Sequence, residues 1–327
     1  MPIHSAAYRP WEGRRVSESA RWLTICSTGI SRAYQSRWVK RLLFSAFLPL
    51  TFVGIPIFLY EQSGRDPLLW QAFARSVRSL PQASILGDAI GQLPAHPTPD
   101  EFNAIRRPVW SFLIMTFLRY PQAFLMVLVV GIVAPPLISQ DLRTRAYLIY
   151  FARPISRLEY IVGKVGIVGF FLFAISALPA FALYVAAVML SPSFEVVLTT
   201  WQLPVRILVA SACLVIPTTL VALAFSSLTV ESRYAGFAWF AMWIIGHVTY
   251  SSLVVIPTFQ AERAGTTFEP GWRILTSPYQ VLGVAQTYAF GFESHPEMVV
   301  PCFLMLATVS LVSLAILFRR VTAPMRV

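Results

Sequence analysis

The sequence predicts an all-helical membrane protein that crosses the bilayer six times. Of its 327 residues, 56% are hydrophobic and only 13% are charged, whereas soluble domains carry about 25% charged residues. Six uncharged runs are each about as long as the roughly 20 residues that a helix needs to cross the hydrocarbon core. Because no water satisfies backbone groups there, such runs must be helical. The runs are Leu42–Tyr60, Tyr120–Gln140, Val165–Phe194, Ile207–Val230, Tyr234–Ala261 and Met298–Phe318.

The distribution of Lys and Arg predicts that both termini lie in the cytoplasm. Residues 1–41 carry eight of these side chains, and the segment 140–164 carries five. Such side chains near the ends of spans are retained on the cytoplasmic side. We therefore expect a multi-pass protein of the bacterial inner (plasma) membrane. Topology and attraction to anionic membrane lipid explain the net charge of +11 better than nucleic-acid binding does.

The chain divides into a cytoplasmic N-terminal segment (1–41), a six-span domain (42–318) and a cytoplasmic tail (319–327). Within the first segment, residues 11–30 favour an amphipathic helix on the membrane surface, with two tryptophans as interfacial anchors. A disordered tail is the alternative. The tryptophans are Trp11 and Trp22.

The first outer loop, residues 61–119, contains signals for helix starts. Asp66 stands before a proline, and Thr98 and Glu101 have the spacing of a capping box. The run Pro108–Leu118 is apolar but too short to cross the membrane. These segments predict helices that lie on the outer leaflet.

The last outer loop, residues 257–297, contains a further uncharged stretch, Ile274–Phe292. Polar residues, glycine and proline dilute its apolar character. If it crossed the membrane, Arg319 and Arg320 would lie outside. We therefore expect a re-entrant or interfacial element before the sixth span, which is tolerated where protein covers its backbone.

Several function classes lack their motifs. The six runs contain one ionisable candidate for proton-driven transport, His247, and a lone histidine is more often a hydrogen-bonded packing residue. The patterns HExxH, GxSxG and GxxxxGK[ST] are missing from the sequence. The three cysteines have no metal or redox spacing. We expect no catalytic residues, no metal site and no cofactor, and the chain has no ATP-binding loop of its own.

Residues 135–164 concentrate seven charged residues between two uncharged runs. Ser139 as N-cap and Asp141 near the helix dipole predict a short amphipathic helix over 140–152. Arg153 precedes a proline and is expected to end that helix.

A second helix is predicted to begin directly after this corner. Ser156 and Glu159 form a capping box, and the helix continues into the third span with Lys164 reaching toward the headgroups. A push on the short helix would then pass to the third span. The alternative is a positively charged loop that only sets the topology.

This segment resembles the cytoplasmic loop of the ATP-binding-cassette (ABC) type-2 permeases. In that family an acidic residue after span 2 is followed by an apolar helical stretch, then Pro-hydrophobic-Ser-Arg, then Gly-Lys at the start of span 3. The family commonly has Glu in place of Asp141 and Gly-Thr in place of Arg145-Ala146. The matching positions here are Asp141, Tyr147–Phe151, Pro154-Ile155-Ser156-Arg157 and Gly163-Lys164.

The resemblance implies a permease subunit that is not itself an enzyme. It implies two kinds of partner: a second permease copy or paralogue, and two separate ABC ATPase subunits. The helix at 140–152 would dock onto the ATPase subunits as a coupling helix. The residues expected to carry ATPase coupling are Asp141, Arg145, Ile149, Arg153, Pro154, Ser156, Arg157, Glu159 and Lys164.

The function that follows is ATP-driven export of a lipid-like or amphiphilic substrate, because the expected path lacks charge. One alternative is a force transmitter that acts on a periplasmic partner through the loops 61–119 and 257–297. Another is a membrane scaffold without an ATPase. A membrane-embedded enzyme is disfavoured because the sequence has no catalytic cluster.

Overall fold

A computed structural model describes residues 20–64, 66–83, 85–86, 98–146, 155–266, 268–292 and 295–322. Within these ranges the regular secondary structure is helical throughout, and no strand occurs. The predicted all-helical class is therefore confirmed.

The described helices are numbered here in chain order. A π-helical turn, Leu118–Gln122, joins α5 to α6, and a 3₁₀ helix, Gly271–Thr276, precedes α13. The α-helices are α1 (Arg21–Tyr34), α2 (Arg37–Ser45), α3 (Leu48–Ser63), α4 (Pro67–Arg78), α5 (Pro99–Phe117), α6 (Ala123–Val133), α7 (Pro135–Arg143), α8 (Arg157–Ile175), α9 (Ala177–Leu190), α10 (Val196–Thr200), α11 (Gln202–Leu228), α12 (Ser232–Arg263), α13 (Pro278–Ala289) and α14 (Pro296–Thr322).

Six helical stretches of the described chain are long and apolar enough to cross a membrane. This confirms the predicted number of candidate spans and is consistent with a multi-pass membrane protein. We number them spans 1 to 6: Arg37–Ser63, Asp100–Arg143, Arg157–Leu190, Val196–Leu228, Ser232–Arg263 and Pro296–Val321.

Span 2 differs from the prediction because it begins about 20 residues earlier. The run Pro108–Leu118, predicted to lie apart on the outer leaflet, is continuous with the second span through the π-helical turn. Its side chains from Val109 to Leu118 are buried inside the protein. Arg119, which lay just outside the predicted run, is therefore near the middle of the helix.

The predicted helix starts around the first connecting segment are confirmed. Asp66 accepts a hydrogen bond from the Leu68 N–H at 2.8 Å and so caps α4. Thr98 and Glu101 form a complete capping box at the start of α5. Each cap satisfies backbone donors that the first helical turn leaves without an intrahelical partner.

Two hydrophobic clusters fill opposite ends of the bundle. We call the end where span 2 finishes the Asp141 end, and the end where span 1 finishes the Glu61 end. Large buried side chains at the Glu61 end include Tyr60, Phe73, Trp110, Phe117 and Leu183. Those toward the Asp141 end include Met126, Phe171, Leu214, Trp239 and Leu317.

Helix α1 packs closely against the start of span 3. A Cβ added at Gly163 would lie 2.9 Å from Ile25 Cβ and 3.2 Å from the Trp22 carbonyl oxygen. Gly166 similarly makes room for Cys26. Part of the predicted N-terminal helix is thus present and rests on protein, whereas Trp11 lies outside the described residues.

Helix α13 lies in the segment predicted to be re-entrant or interfacial. It has 12 residues, and a helix of that length is about 18 Å long, too short to cross the hydrocarbon core. The side chains from Val281 to Thr287 are buried against spans 4, 5 and 6. The segment therefore does not form a seventh span by length.

Candidate functional site

The centre of the candidate site is an ion pair between the end of span 2 and the start of span 3. Lys164 Nζ lies 2.7 Å from Asp141 Oδ2, and the Tyr160 hydroxyl donates to the same oxygen at 2.8 Å. Two positions of the sequence motif, the acidic residue and the Gly-Lys lysine, are thus in direct contact. The pair ties together two helices whose connecting segment contains the predicted coupling residues.

The position of Lys164 corrects the prediction that its side chain reaches toward the headgroups. Only 8% of the side chain is exposed. Its ammonium also donates to the Leu137 carbonyl oxygen at 2.7 Å and lies over the Tyr160 ring. Asp141 holds the ammonium inside the protein because an ion pair and hydrogen bonds offset the cost of burying its charge.

The capping box at the start of α8 is confirmed. Glu159 accepts a hydrogen bond from the Ser156 N–H at 2.6 Å, and Ser156 Oγ accepts one from the Glu159 N–H at 3.2 Å. This reciprocal pair fixes where span 3 begins, about two turns before the residue that pairs with Asp141.

The predicted helix over 140–152 does not start as expected. Ser139 is not an N-cap: it lies inside α7, which begins at Pro135, and its hydroxyl donates to the Pro135 carbonyl oxygen at 2.6 Å. The prediction failed because it began the helix after the double proline, whereas proline also fits the first turn of a helix. In the first turn of α7, the Ile138 N–H donates a hydrogen bond at 3.1 Å to the Ser226 hydroxyl of span 4.

Helix α7 ends at Arg143, and a turn follows. Arg145 in that turn has φ 54°, a left-handed conformation that favours glycine. Its side chain and that of Arg157 are exposed. The other predicted coupling residues, Ile149, Arg153 and Pro154, lie outside the described residues, as does the apolar stretch Tyr147–Phe151.

A cleft of about 740 Å³ adjoins the ion pair between α1 and spans 2 and 3. Its cationic side chains are Arg21, Arg32 and Lys164. Its apolar lining includes Val39, Ile132, Val133, Leu137 and Ile167. A cleft with an apolar wall and cationic groups can accommodate a molecule that has an acidic head and an apolar tail.

The structure also places ionisable groups in spans where the sequence suggested only a histidine. At the other end of the molecule, Glu61 accepts hydrogen bonds from Arg106 Nε at 3.1 Å and from Trp110 Nε1 at 3.0 Å. Arg119 is buried in span 2. His247, which was expected to pack inside, is exposed on span 5.

These groups were missed because the uncharged-run criterion ends a span at the first charge. Arg119 is a single charge in a stretch that is otherwise apolar from Val109 to Val133, and a hydropathy average over a full window would have kept it inside. Tyr160 precedes Lys164 by one helical turn, the spacing at which side chains share a face. That spacing was the available signal for its place beside the ion pair.

Comparisons with known proteins do not assign this chain to a family. No protein-family model matches it. No curated protein matches it either.

Proposed function

We propose that this chain is the permease subunit of an ABC type-2 transporter. In this proposal, separate ATPase chains drive export of a lipid-like or amphiphilic substrate through a pair of permease subunits. The observation that carries the proposal is the Asp141–Lys164 pair, because it joins two positions of the resemblance that are 23 residues apart in sequence. A displacement of the segment between them would move spans 2 and 3 together.

A second observation supports the resemblance itself. The family commonly has glycine at the position of Arg145, and the backbone of this residue has φ 54°. A non-glycine residue in this conformation is strained by roughly 1–2 kcal/mol. The chain therefore retains the backbone conformation that glycine favours while it carries a different side chain.

An amphiphilic substrate fits the distribution of charge. The spans are apolar over most of their length, and the cleft beside the ion pair combines apolar walls with Arg21 and Arg32, whereas its Lys164 is already paired with Asp141. Apolar surface accommodates an acyl or prenyl chain, and the cations attract an acidic head. The proposed substrate path therefore has more charged side chains along it than the sequence suggested.

The first test is a co-purification of the full chain, expressed together with the products of its neighbouring genes. We expect a phosphate-loop ATPase to be recovered in a stoichiometric complex after extraction in mild detergent. The double variant R145E/R157E changes two exposed side chains of the connecting segment and should lower ATPase recovery at least tenfold. Failure to recover any ATPase would overturn the proposal and favour a scaffold.

A matched control separates docking from general charge effects. Arg233 is also exposed and lies in the first turn of span 5, at the same end of the bundle as Asp141. The variant R233E should retain wild-type ATPase recovery. Equal losses in R233E and R145E/R157E would contradict docking through the segment 141–159.

Force transmission to a partner outside the membrane is a second candidate, favoured by the length of span 2. Its 44 residues correspond to about 66 Å of helix, roughly twice the thickness of the hydrocarbon core. If the Asp141 end lies at one membrane surface, the surplus projects beyond the other. Photocrosslinkers at Arg75 and Arg78, exposed on α4, would distinguish a permanent partner protein from substrate passage alone.

A further inference from the structure

Arg119 in span 2 is a buried cation whose hydrogen-bonding groups are largely unused. The residue is 5% exposed. Its Nη2 donates to Gln280 Oε1 at 2.9 Å. Neither Nε nor Nη1 has a hydrogen-bond partner among the residues that the structure describes. Among those residues, no carboxylate forms an ion pair with this guanidinium either.

This arrangement is costly for an isolated protein. An arginine cannot shed its proton at any accessible pH, so it cannot escape the cost of burial by becoming neutral. The rings of Tyr120 and Tyr279 lie 5.7 and 5.2 Å from its guanidinium carbon. These ring faces attract the charge but leave the N–H groups without acceptors.

The guanidinium lines a polar cavity of about 220 Å³. Because a water molecule takes about 30 Å³ of the liquid, this space corresponds to roughly seven waters and admits a phosphate or carboxylate group. The side chains that line it with Arg119 include Gln82, Tyr250, Tyr279, Thr287 and His295.

His295 adds a neutral donor to this cavity. Burial lowers the pKa of its imidazole, and the Arg119 charge lowers it further while Glu269 opposes the change. The imidazole is therefore neutral at pH 7 and can donate one hydrogen bond without competing with Arg119 for a counter-ion.

Two backbone features hold the guanidinium in place. Arg119 lies in the π-helical turn Leu118–Gln122, which contains Pro121, and such turns frequently occur at functional sites. On the opposing helix, a Cβ added at Gly283 would overlap Arg119 Nη1. The absence of a side chain at this position creates the space that the guanidinium fills.

The cavity lies far from the Asp141–Lys164 pair. Arg119 and Asp141 are 22 residues apart in one helical stretch, which corresponds to about 33 Å along its axis, close to the thickness of the hydrocarbon core. His295 and Gln82 belong to connections at the Glu61 end of the bundle. An acidic group would therefore reach Arg119 from the membrane surface opposite to the candidate coupling site.

We infer that this cavity binds one acidic group, a phosphate or carboxylate, beside the Arg119 guanidinium, whose charge no carboxylate of the described residues balances. The group belongs either to the head of an anionic lipid or to a free small anion. This inference does not depend on the ATPase, and its test contains none.

The test measures thermal stability of the full chain in nanodiscs of neutral phosphatidylcholine, at constant ionic strength maintained with chloride. The probes are inorganic phosphate and short-chain phosphatidylglycerol. We expect at least one probe to raise the wild-type melting temperature by a few degrees, as binding to the folded state requires. A shift with phosphatidylglycerol alone identifies a lipid head, and a shift with both shows that the phosphate group suffices. No shift with either probe overturns the inference.

Variants locate the response. R119Q should abolish the shift. R263Q changes an exposed arginine at the Glu61 end of span 5 and should preserve the shift. If R119Q does not fold, G283A replaces it, because the added methyl displaces the guanidinium while every charge remains. We expect at least tenfold weaker binding in G283A. A wild-type response in either R119Q or G283A would overturn the assignment.

Discussion

Lys164 and Arg119 are both buried cations, but among the residues that the structure describes only Lys164 has a carboxylate partner. Lys164, at the Asp141 end, has a carboxylate at 2.7 Å and a carbonyl acceptor at the same distance. Arg119, about one membrane thickness away, has a single neutral acceptor, Gln280. The two sites show that a buried cation can join two helices or keep hydrogen-bond donors without acceptors. Which of these occurs depends on the acceptors that the fold places around the cation.

The pair between Glu61 and Arg106 resembles the Lys164–Asp141 site, because its arginine also has a carboxylate partner. The Glu61 side chain is fully buried, and Trp110 donates to the same carboxylate oxygen that Arg106 contacts. Span 2 therefore contains two largely buried arginines, of which only Arg106 has a carboxylate partner among the described residues. This contrast makes Arg119 the exception within its own helix.

The largest expected effect follows from breaking the Lys164 pair. In K164M the Asp141 carboxylate keeps only the Tyr160 hydroxyl as a close partner, and removing one member of a buried pair costs about 3–5 kcal/mol of unfolding free energy. Denaturant unfolding in mixed micelles measures the loss. The double variant D141N/K164M should recover part of it, and equal losses in single and double variants would contradict the pairing.

A solvent-exposed pair provides the control for K164M. Arg143 lies 3.4 Å from Glu231 with 64% and 38% of the two side chains exposed. Such pairs contribute about 0.2–1 kcal/mol. R143Q should therefore change the unfolding free energy by less than about 1 kcal/mol.

A smaller effect is expected where α1 contacts span 3. G163A places a methyl group within 2.9 Å of Ile25, and overpacking of this kind typically costs about 1–3 kcal/mol. In the same helix, a Cβ at Gly169 would meet its nearest neighbour only at 3.9 Å. G169A should therefore be neutral or slightly stabilising. If the unfolding curves of G163A and G169A coincided, α1 would not pack tightly against span 3.

The capping boxes at the two ends allow a comparison at about 1 kcal/mol. S156A and T98A each remove a side-chain acceptor from a helix start, and such losses cost about 0.5–2 kcal/mol. Hydrogen exchange of the first helical turns should increase in both. Under the proposed function, only S156A should also reduce stimulation of the ATPase. A reduction in both variants would indicate a general loss of stability.

The smallest change in stability is expected for R119Q without added anion. Removing an unpaired buried cation relieves a desolvation cost, and glutamine can still form a hydrogen bond with Gln280. We expect the variant to unfold at the wild-type temperature or above it. A loss as large as that of K164M would mean that Arg119 has a structural counter-ion, and the contrast between the two cations would disappear.

Local signals in the sequence were sufficient for several elements. Each candidate span was visible as an apolar run, because a helix in a membrane is selected by composition over about 20 residues. The caps at Asp66, Thr98 and Ser156 were also predictable, since a cap is formed by side chains within three residues of the backbone groups it satisfies.

The sequence alone therefore determined the helical class, the number of candidate spans and the places where several helices begin. Only the tertiary structure decided that Lys164 turns inward to Asp141, that α7 begins at the double proline and that Arg119 is buried without a carboxylate partner among the described residues. These outcomes depend on groups far apart in sequence, such as Ser226 beside Pro135 and Gly283 beside Arg119. Local propensity fixes a helix, but the electrostatic fate of a buried charge depends on the acceptors that folding brings within hydrogen-bonding distance.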